Sequence, residues 1–284
     1  MTALPPASSE TWLTYARPHL CSRGVAVVDC GVTGCAAAAG LAAELGVPLW
    51  GSPAGPCASR CCIHLDHLAD LPLALAKLCK CAASGPVLLR QGLSGKAYRI
   101  LGVSEARTPP ILDLTVARGI YRVPMACVAP ADLDEAGRDE LLRLAREALA
   151  ALPAGSGPAD IEIVSGAEGP VLSGLEPSIA LDAATARVLG LLETHGAAAV
   201  CWIPSRSGEI IDISDIDEAR SMPHVHEVVV NARPGDMLGH IEDVLARDRI
   251  GWVIACADAP HAALAAAQAA CGRIAVVTNP MLDD

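Results

Sequence analysis

Apolar runs of strand length recur along this chain, and turn residues or helical segments cut each one short. GVAVVDC (24–30), VPLWGS (47–52), PVLLRQGL (86–93), KAYRILGV (96–103), PILDLTV (110–116), AAAVCWIP (197–204), GEIIDIS (208–214), HEVVVNA (226–232) and GWVIACA (251–257) have the length and residue types of strands. Between them lie Ala- and Leu-rich segments with helical spacing: CAAAAGLAAELG (35–46), ADLDEAGRDELLRLAREALAAL (131–152), the stretch from Asp182 to Gly196, and HAALAAAQAACG (261–272). Such alternation restricts the chain to mixed α/β and α+β architectures. No run approaches the roughly 18 apolar residues of a membrane-spanning helix.

The core these segments build must be filled by small groups. The chain is 52% hydrophobic with a mean hydropathy of +0.40, yet it has no Phe, four Trp and three Tyr. Close-packed Ala-bearing helices are the expected solution. The length of 284 residues suggests about two domains. Lys and Arg total 21 against 32 Asp and Glu, a net charge of −11, with no basic run. That balance disfavours nucleic acid and anionic membranes as partners. The first residues, MTALPPASSETWLTYARPH, have no charged stretch leading into an apolar one, so a cytoplasmic location is expected. In a reducing compartment most of the 12 cysteines read as buried thiols, Cys30, Cys201 and Cys256 among them.

Segments 86–93, 96–103 and 110–116 read as an antiparallel meander, and 159–177 as a hairpin. The 131–152 helix carries an apolar stripe of Leu141, Leu144, Ala145, Ala148, Leu149 and Leu152, with Asp139 and Arg143 spaced for an i,i+4 pair. Asp182 is placed to cap a helix, and Gly46 and Gly196 to end helices.

Residues 57–81, CASRCCIHLDHLADLPLALAKLCKC, hold five cysteines and two histidines. Thiolate and imidazole suit Zn²⁺, and Cys57, Cys61, Cys62, His64, Cys79 and Cys81 are its candidate ligands here. The spacing lacks paired C-x2-C knuckles, so the competing reading is a mostly helical segment whose cysteines are small hydrophobes. His224 and His226 stand two apart on a strand and read as ligands or as a solvated face; His195 suits a helix C-terminus.

The C-terminal block carries the most specific pattern: EARSMPHVHEV (218–228), the RPGD turn (233–236), and GWVIA followed by a helix and a terminal strand. Over about residues 181–278 this resembles the C-terminal subdomain of ATP-grasp carboxylate–amine ligases of the L-amino-acid ligase type. VLLRQGLSGKAYRILGV, IYRVPMACVAPADLDEAGRDELLRLAREALAAL and ADIEIVSGAEGPVLSGLEP resemble that family's paired strands, long helix and metal-binding strands. The implied fold is α+β / α/β, a shortened ATP-grasp-like arrangement. It would comprise an N-terminal α/β remnant (1–56), a Cys/His-rich helical junction replacing the nucleotide-binding half (57–85), a central antiparallel sheet with a helix (86–180), and a C-terminal α+β subdomain (181–284).

In that family ATP phosphorylates a carboxylate and an amine attacks the acyl phosphate, with Mg²⁺ on the transferring group. The resemblance puts Glu162 at the first metal position. Aligned on Pro177, the second strand has Gly174 where the family has Glu, Glu176 where it has Asn, and Ser178 where it has Arg. Glu162 and Glu176 are therefore the candidate Mg²⁺ remnant. The family's lysine-bearing strands and Gly-rich phosphate loop have no counterpart, since Lys77, Lys80 and Lys96 are the nearby lysines. The resemblance thus implies an auxiliary, non-catalytic relative in an amide- or peptide-bond-forming pathway, partnered by further copies of itself, an intact ATP-grasp ligase or another biosynthetic enzyme. A still-active ligase using ATP and Mg²⁺, and a Zn²⁺-binding module on the same scaffold, are the alternatives.

Overall fold

The computed structural model describes residues 9–54, 63–82, 85–103, 109–116, 124–152, 159–176, 181–204, 207–238 and 250–280. In chain order the elements are α1 (Ser9–Ser22), β1 (Cys30–Gly34), α2 (Ala38–Leu45), β2 (Leu49–Pro53), β3 (Ile63–Leu65), α3 (Leu71–Cys81), β4 (Pro86–Gln91), β5 (Lys96–Val103), β6 (Ile111–Val116), β7 (Pro124–Ala129), α4 (Glu135–Leu149), β8 (Ala159–Gly166) and β9 (Gly169–Glu176). There follow α5 (Ala183–Leu191), β10 (Ala197–Trp202), β11 (Gly208–Ser214), α6 (Ile216–Ser221), β12 (Val225–Val230), β13 (Met237–Leu238), β14 (Gly251–Ala257), α7 (Pro260–Cys271) and β15 (Ala275–Asn279). They gather into two compact units. One comprises residues 1–111, 118–122 and 133–180, the other 112–117, 123–132 and 181–284.

The first unit opens with a helix that the sequence reading missed, because Pro18 interrupts its pattern. Pro18 lies on the exposed side of α1, and Leu13, Ala16 and Leu20 are buried on the other. The strand expected over 24–30 instead begins at Cys30; residues before it lie along β9 through a Val27–Leu172 bridge. β1, β4, β2 and β3 form an antiparallel sheet in that order. One face carries Leu49, Ile63, Leu65, Val87 and Leu89, which pack with Ala38 and Ala42 of α2 and Leu75 and Leu78 of α3. Each such aliphatic side chain contributes on the order of 1.5–3 kcal/mol through burial. Gly51 admits this packing: a Cβ there would lie 3.0 Å from Leu89 Cδ2 and 3.1 Å from Leu78 Cδ2.

Two expectations change here. Within the 57–85 stretch, expected as a helical junction, the described residues are not all helical. Its described part supplies β3 and α3, and it belongs to one sheet and one core with its neighbours. β4 is not the first strand of a meander either. Val87, Leu88 and Leu89 are all fully buried, so this strand needs cover on both faces and both edges, and it lies between β1 and β2.

The rest of this unit is the antiparallel set β5–β8–β9 with α4 packed on it. Along β8 the side chains alternate: Ile161 and Ile163 are buried, and Asp160 and Glu162 stand on the opposite face. Asp134 caps α4 by accepting from the Gly137 N–H at 2.8 Å. On its surface Arg143 pairs with Glu147 at 2.8 Å rather than with Asp139.

In the second unit β12, β14, β10, β7 and β6 lie side by side, and β10, β14, β12 and β7 pair antiparallel. Ala197, Ala199, Cys201, Val253 and Ala255 meet Ala263, Ala267 and Ala270 of α7. That all-small interface lets α7 approach closely, as a Phe-free core requires. α5 also packs on this sheet. A small sheet of β13, β11 and β15 completes the unit. Among the described residues no helix is long and apolar enough to cross a membrane.

Candidate functional site

In the first unit Cys30, Arg90, Trp50 and His64 stand directly opposite one another on β1, β4, β2 and β3. Cross-strand partners share a face, so the four form one row on the side of the sheet turned away from α2 and α3. The row is polar although it is largely buried, His64 being 3% exposed. The Arg90 guanidinium lies 3.8 Å above the Trp50 ring, in cation–π geometry. Its side chain is only 12% exposed, and it reaches β8 and β9.

There Arg90 donates through Nη1 to the Ser173 carbonyl, and its Nη2 lies 3.9 Å from Glu162 Oε1. Ser173 is the extra residue of a β-bulge, since Glu162 opposes Gly174 and Ile163 opposes Leu172. The bulge turns the Ser173 hydroxyl onto Glu162 Oε1, to which it donates at 3.1 Å. The Glu162 carboxylate is thus held by a hydroxyl on one side and faced by a guanidinium on the other. The position across the ladder, Gly174, offers no side chain.

A second charge pair lies one step along. Arg99 opposes Glu162 on β5, and its Nε donates to both Asp160 carboxylate oxygens at 3.0 Å; Nη2 donates to Oδ2 as well. Burial pushes the Asp160 carboxyl up from its ordinary range, and Arg99 pulls it part of the way back. Glu176 opposes Asp160 in the register. Cys30, at the end of the Arg90 row, is pushed up to about 11 by burial, against the pull of Arg17 and Arg90.

Of the expected residues, Glu162 and Glu176 do lie on neighbouring strands, β8 and β9. Cys57, Cys61 and Cys62 lie outside the described residues, and Cys81 ends α3. His64 and Cys79 do not come together: His64 is in the buried row facing away from α3, while Cys79 packs on α3 against the core of the opposite face. The sheet itself separates them. Trp50, Arg90 and Ser173 were missed. A lone Arg inside an apolar strand, PVLLRQ, was the available signal, because a buried Arg needs partners. No lysine lies on β2, β3 or β4; Lys77 and Lys80 are on α3 and Lys96 starts β5. β2 and β3 pair antiparallel at the start of this region, and neither carries a lysine.

The arrangement joins two guanidinium groups to the carboxylates of Glu162 and Asp160, with Arg90 stacked on Trp50. Comparison with known proteins identifies the fold. Residues 201–279 match the family described as L-amino acid ligase C-terminal domain 2. No curated protein matches the chain by sequence. Among solved structures, the L-amino acid ligase from Bacillus licheniformis superposes with a TM-score of 0.72 at 16% identity, over 96% of this chain and 72% of that one. Carboxyaminoimidazole ribonucleotide synthase from Aspergillus clavatus, complexed with ATP, gives 0.62 at 16% identity over 90% and 71%. Biotin carboxylase from Campylobacter jejuni gives 0.58 at 14% identity over 94% and 66%. The chain has the ATP-grasp ligase fold, and within it residues 201–279 are related to the C-terminal domain of L-amino acid ligases.

Proposed function

We propose that this protein is a non-catalytic ATP-grasp relative that serves as an auxiliary subunit in amide- or peptide-bond formation. One observation carries the reading. Where the resemblance calls for two facing carboxylates, Glu162 faces Gly174 and has a buried guanidinium as its nearest cation. A divalent cation needs several oxygen ligands, and Gly174 supplies none opposite Glu162. Arg90, 3.9 Å from Glu162 Oε1, already balances that carboxylate, which supports a site that works without Mg²⁺. The absence of lysine from β2, β3 and β4 supports the same reading, because a transferring phosphate needs cationic donors around it.

An auxiliary role implies a cytoplasmic partner, either an intact ATP-grasp ligase or a further copy of this chain. The test is thermal unfolding of the purified chain with and without Mg-ATP, together with ADP release in the presence of amino acids. No saturable shift and no ADP above background are expected. A saturable shift with ADP production would instead establish an active ligase.

A further inference from the structure

The second unit holds a cluster that the ligase reading leaves unused. His195, His226 and Cys256 place one ligand atom each within 4.8 Å of one another. They come from three different elements. His195 follows α5, His226 is on β12 and Cys256 is on β14. The His195 and His226 rings meet edge to face, with centroids 5.8 Å apart.

Local structure explains why each points inward. Cys256 opposes Ala198, on the sheet face away from α7. On β12, Val225 opposes Ala255 and Glu227 opposes Ile254, so His226 is the extra residue of a bulge. In a regular strand His226 and Glu227 would face opposite ways. The bulge puts both on the α5 side, where Glu227 pairs with Arg187 of α5 at 3.1 Å and His226 meets His195. His224 takes no part in the cluster. It precedes the strand in the left-handed region (φ 67°), and its carbonyl accepts from the Cys256 N–H at 2.9 Å. The histidine pair expected on one strand face is therefore replaced by a pair drawn from two elements.

His195 is also anchored at Nδ1 by its own chain segment. Its Nδ1 lies 2.8 Å from Thr194 Oγ1 and 3.3 Å from the Leu191 carbonyl, and Thr194 Oγ1 donates to that carbonyl at 3.2 Å. In the tautomer that carries the proton on Nδ1, the ring donates to this pair of oxygens. Nε2 is left with the lone pair. An Nδ1–H held in this way is the usual support of a metal-ligating imidazole.

We infer that His195, His226 and Cys256 form a binding site for a borderline-soft divalent metal of the Zn²⁺ type, with a fourth position open at the exposed His226 side. Two imidazoles and a thiolate select such a metal over Mg²⁺ or Ca²⁺. Tetrahedral ligands around Zn²⁺ lie roughly 3.4–3.6 Å apart, so side-chain rotation of about 1 Å closes the shell. The metal would tie the end of α5 to the edge strand β12 and to β14. Binding releases the Cys256 thiol proton to solvent, with no redox change.

The test is Co²⁺ and Zn²⁺ titration of the metal-stripped full chain, made without a histidine tag. Co²⁺ is expected to give a tetrahedral visible spectrum with the charge-transfer band of a single thiolate, displaced by Zn²⁺ at about one equivalent. His226→Ala, an exposed position, should weaken binding on the order of a hundredfold or more. Cys256→Ser should abolish the charge-transfer band. A chain with Cys57, Cys61 and Cys62 all replaced by Ser should retain the full signal. No tetrahedral Co²⁺ spectrum, or a spectrum unchanged in His226→Ala, overturns the proposal. So does a signal that disappears with the three N-terminal cysteines, which would move the site to that stretch.

Discussion

Gly174 stands directly across the ladder from Glu162, and a Cβ added at Gly174 would lie 3.0 Å from the Glu162 Cβ. That distance is tighter than ordinary van der Waals contact, and a Cβ cannot swing aside as a side-chain tip can. Gly→Ala in a strand interior ordinarily gains about 0.5–1 kcal/mol. Gly174→Ala is therefore expected to bring no gain and a loss of up to about 1 kcal/mol, measured by urea unfolding. A clear stabilisation would show that the two strands can part without cost.

Arg90 and Glu162 should differ sharply when replaced. Arg90→Met removes the stacking on Trp50 and the donor to the Ser173 carbonyl, and it leaves Glu162 without its facing cation. The expected cost is about 2–3 kcal/mol. Glu162→Gln keeps an acceptor for the Ser173 hydroxyl and should cost under about 1 kcal/mol. A larger cost for Glu162→Gln than for Arg90→Met would mean that the carboxylate, not the guanidinium, organises this site.

Cys30 gives a pH signature. Its thiol titrates near 11 in the folded chain against an ordinary 9.0, because burial disfavours the thiolate. Between those values the folded state holds a proton that the unfolded state has released, so stability falls as pH rises from 9 to 11. The difference in stability between the parent chain and Cys30→Ala should shrink across that window. Alkylation followed peptide by peptide should label the exposed Cys21 well before Cys30 at pH 8.

Asp182 accepts from the Thr185 N–H at 2.9 Å and from its hydroxyl at 2.7 Å. Asp182→Ala should cost about 1–2 kcal/mol in thermal or urea unfolding. Because α5 leads into His195, the same change should also weaken Co²⁺ binding at the metal clip, a coupling that Asp134→Ala at the α4 cap should not produce.

The sequence alone determined what is local. Strand-length apolar runs located most strands, Asp182 and Gly46 marked helix ends that the structure retains, and the EARSMPHVHEV and RPGD stretches pointed to the C-terminal domain. These signals need only the neighbours within a few residues. Tertiary structure decided the rest. Which strands pair with β4 depends on which faces must be covered, and periodicity cannot say that. Arg90 meets Ser173 across 83 residues of chain, and His195, His226 and Cys256 converge only because a bulge re-aims one of them. Such meetings are set by register and by the folding together of separate elements, so the residues that define both candidate sites carry no mark of each other in the sequence.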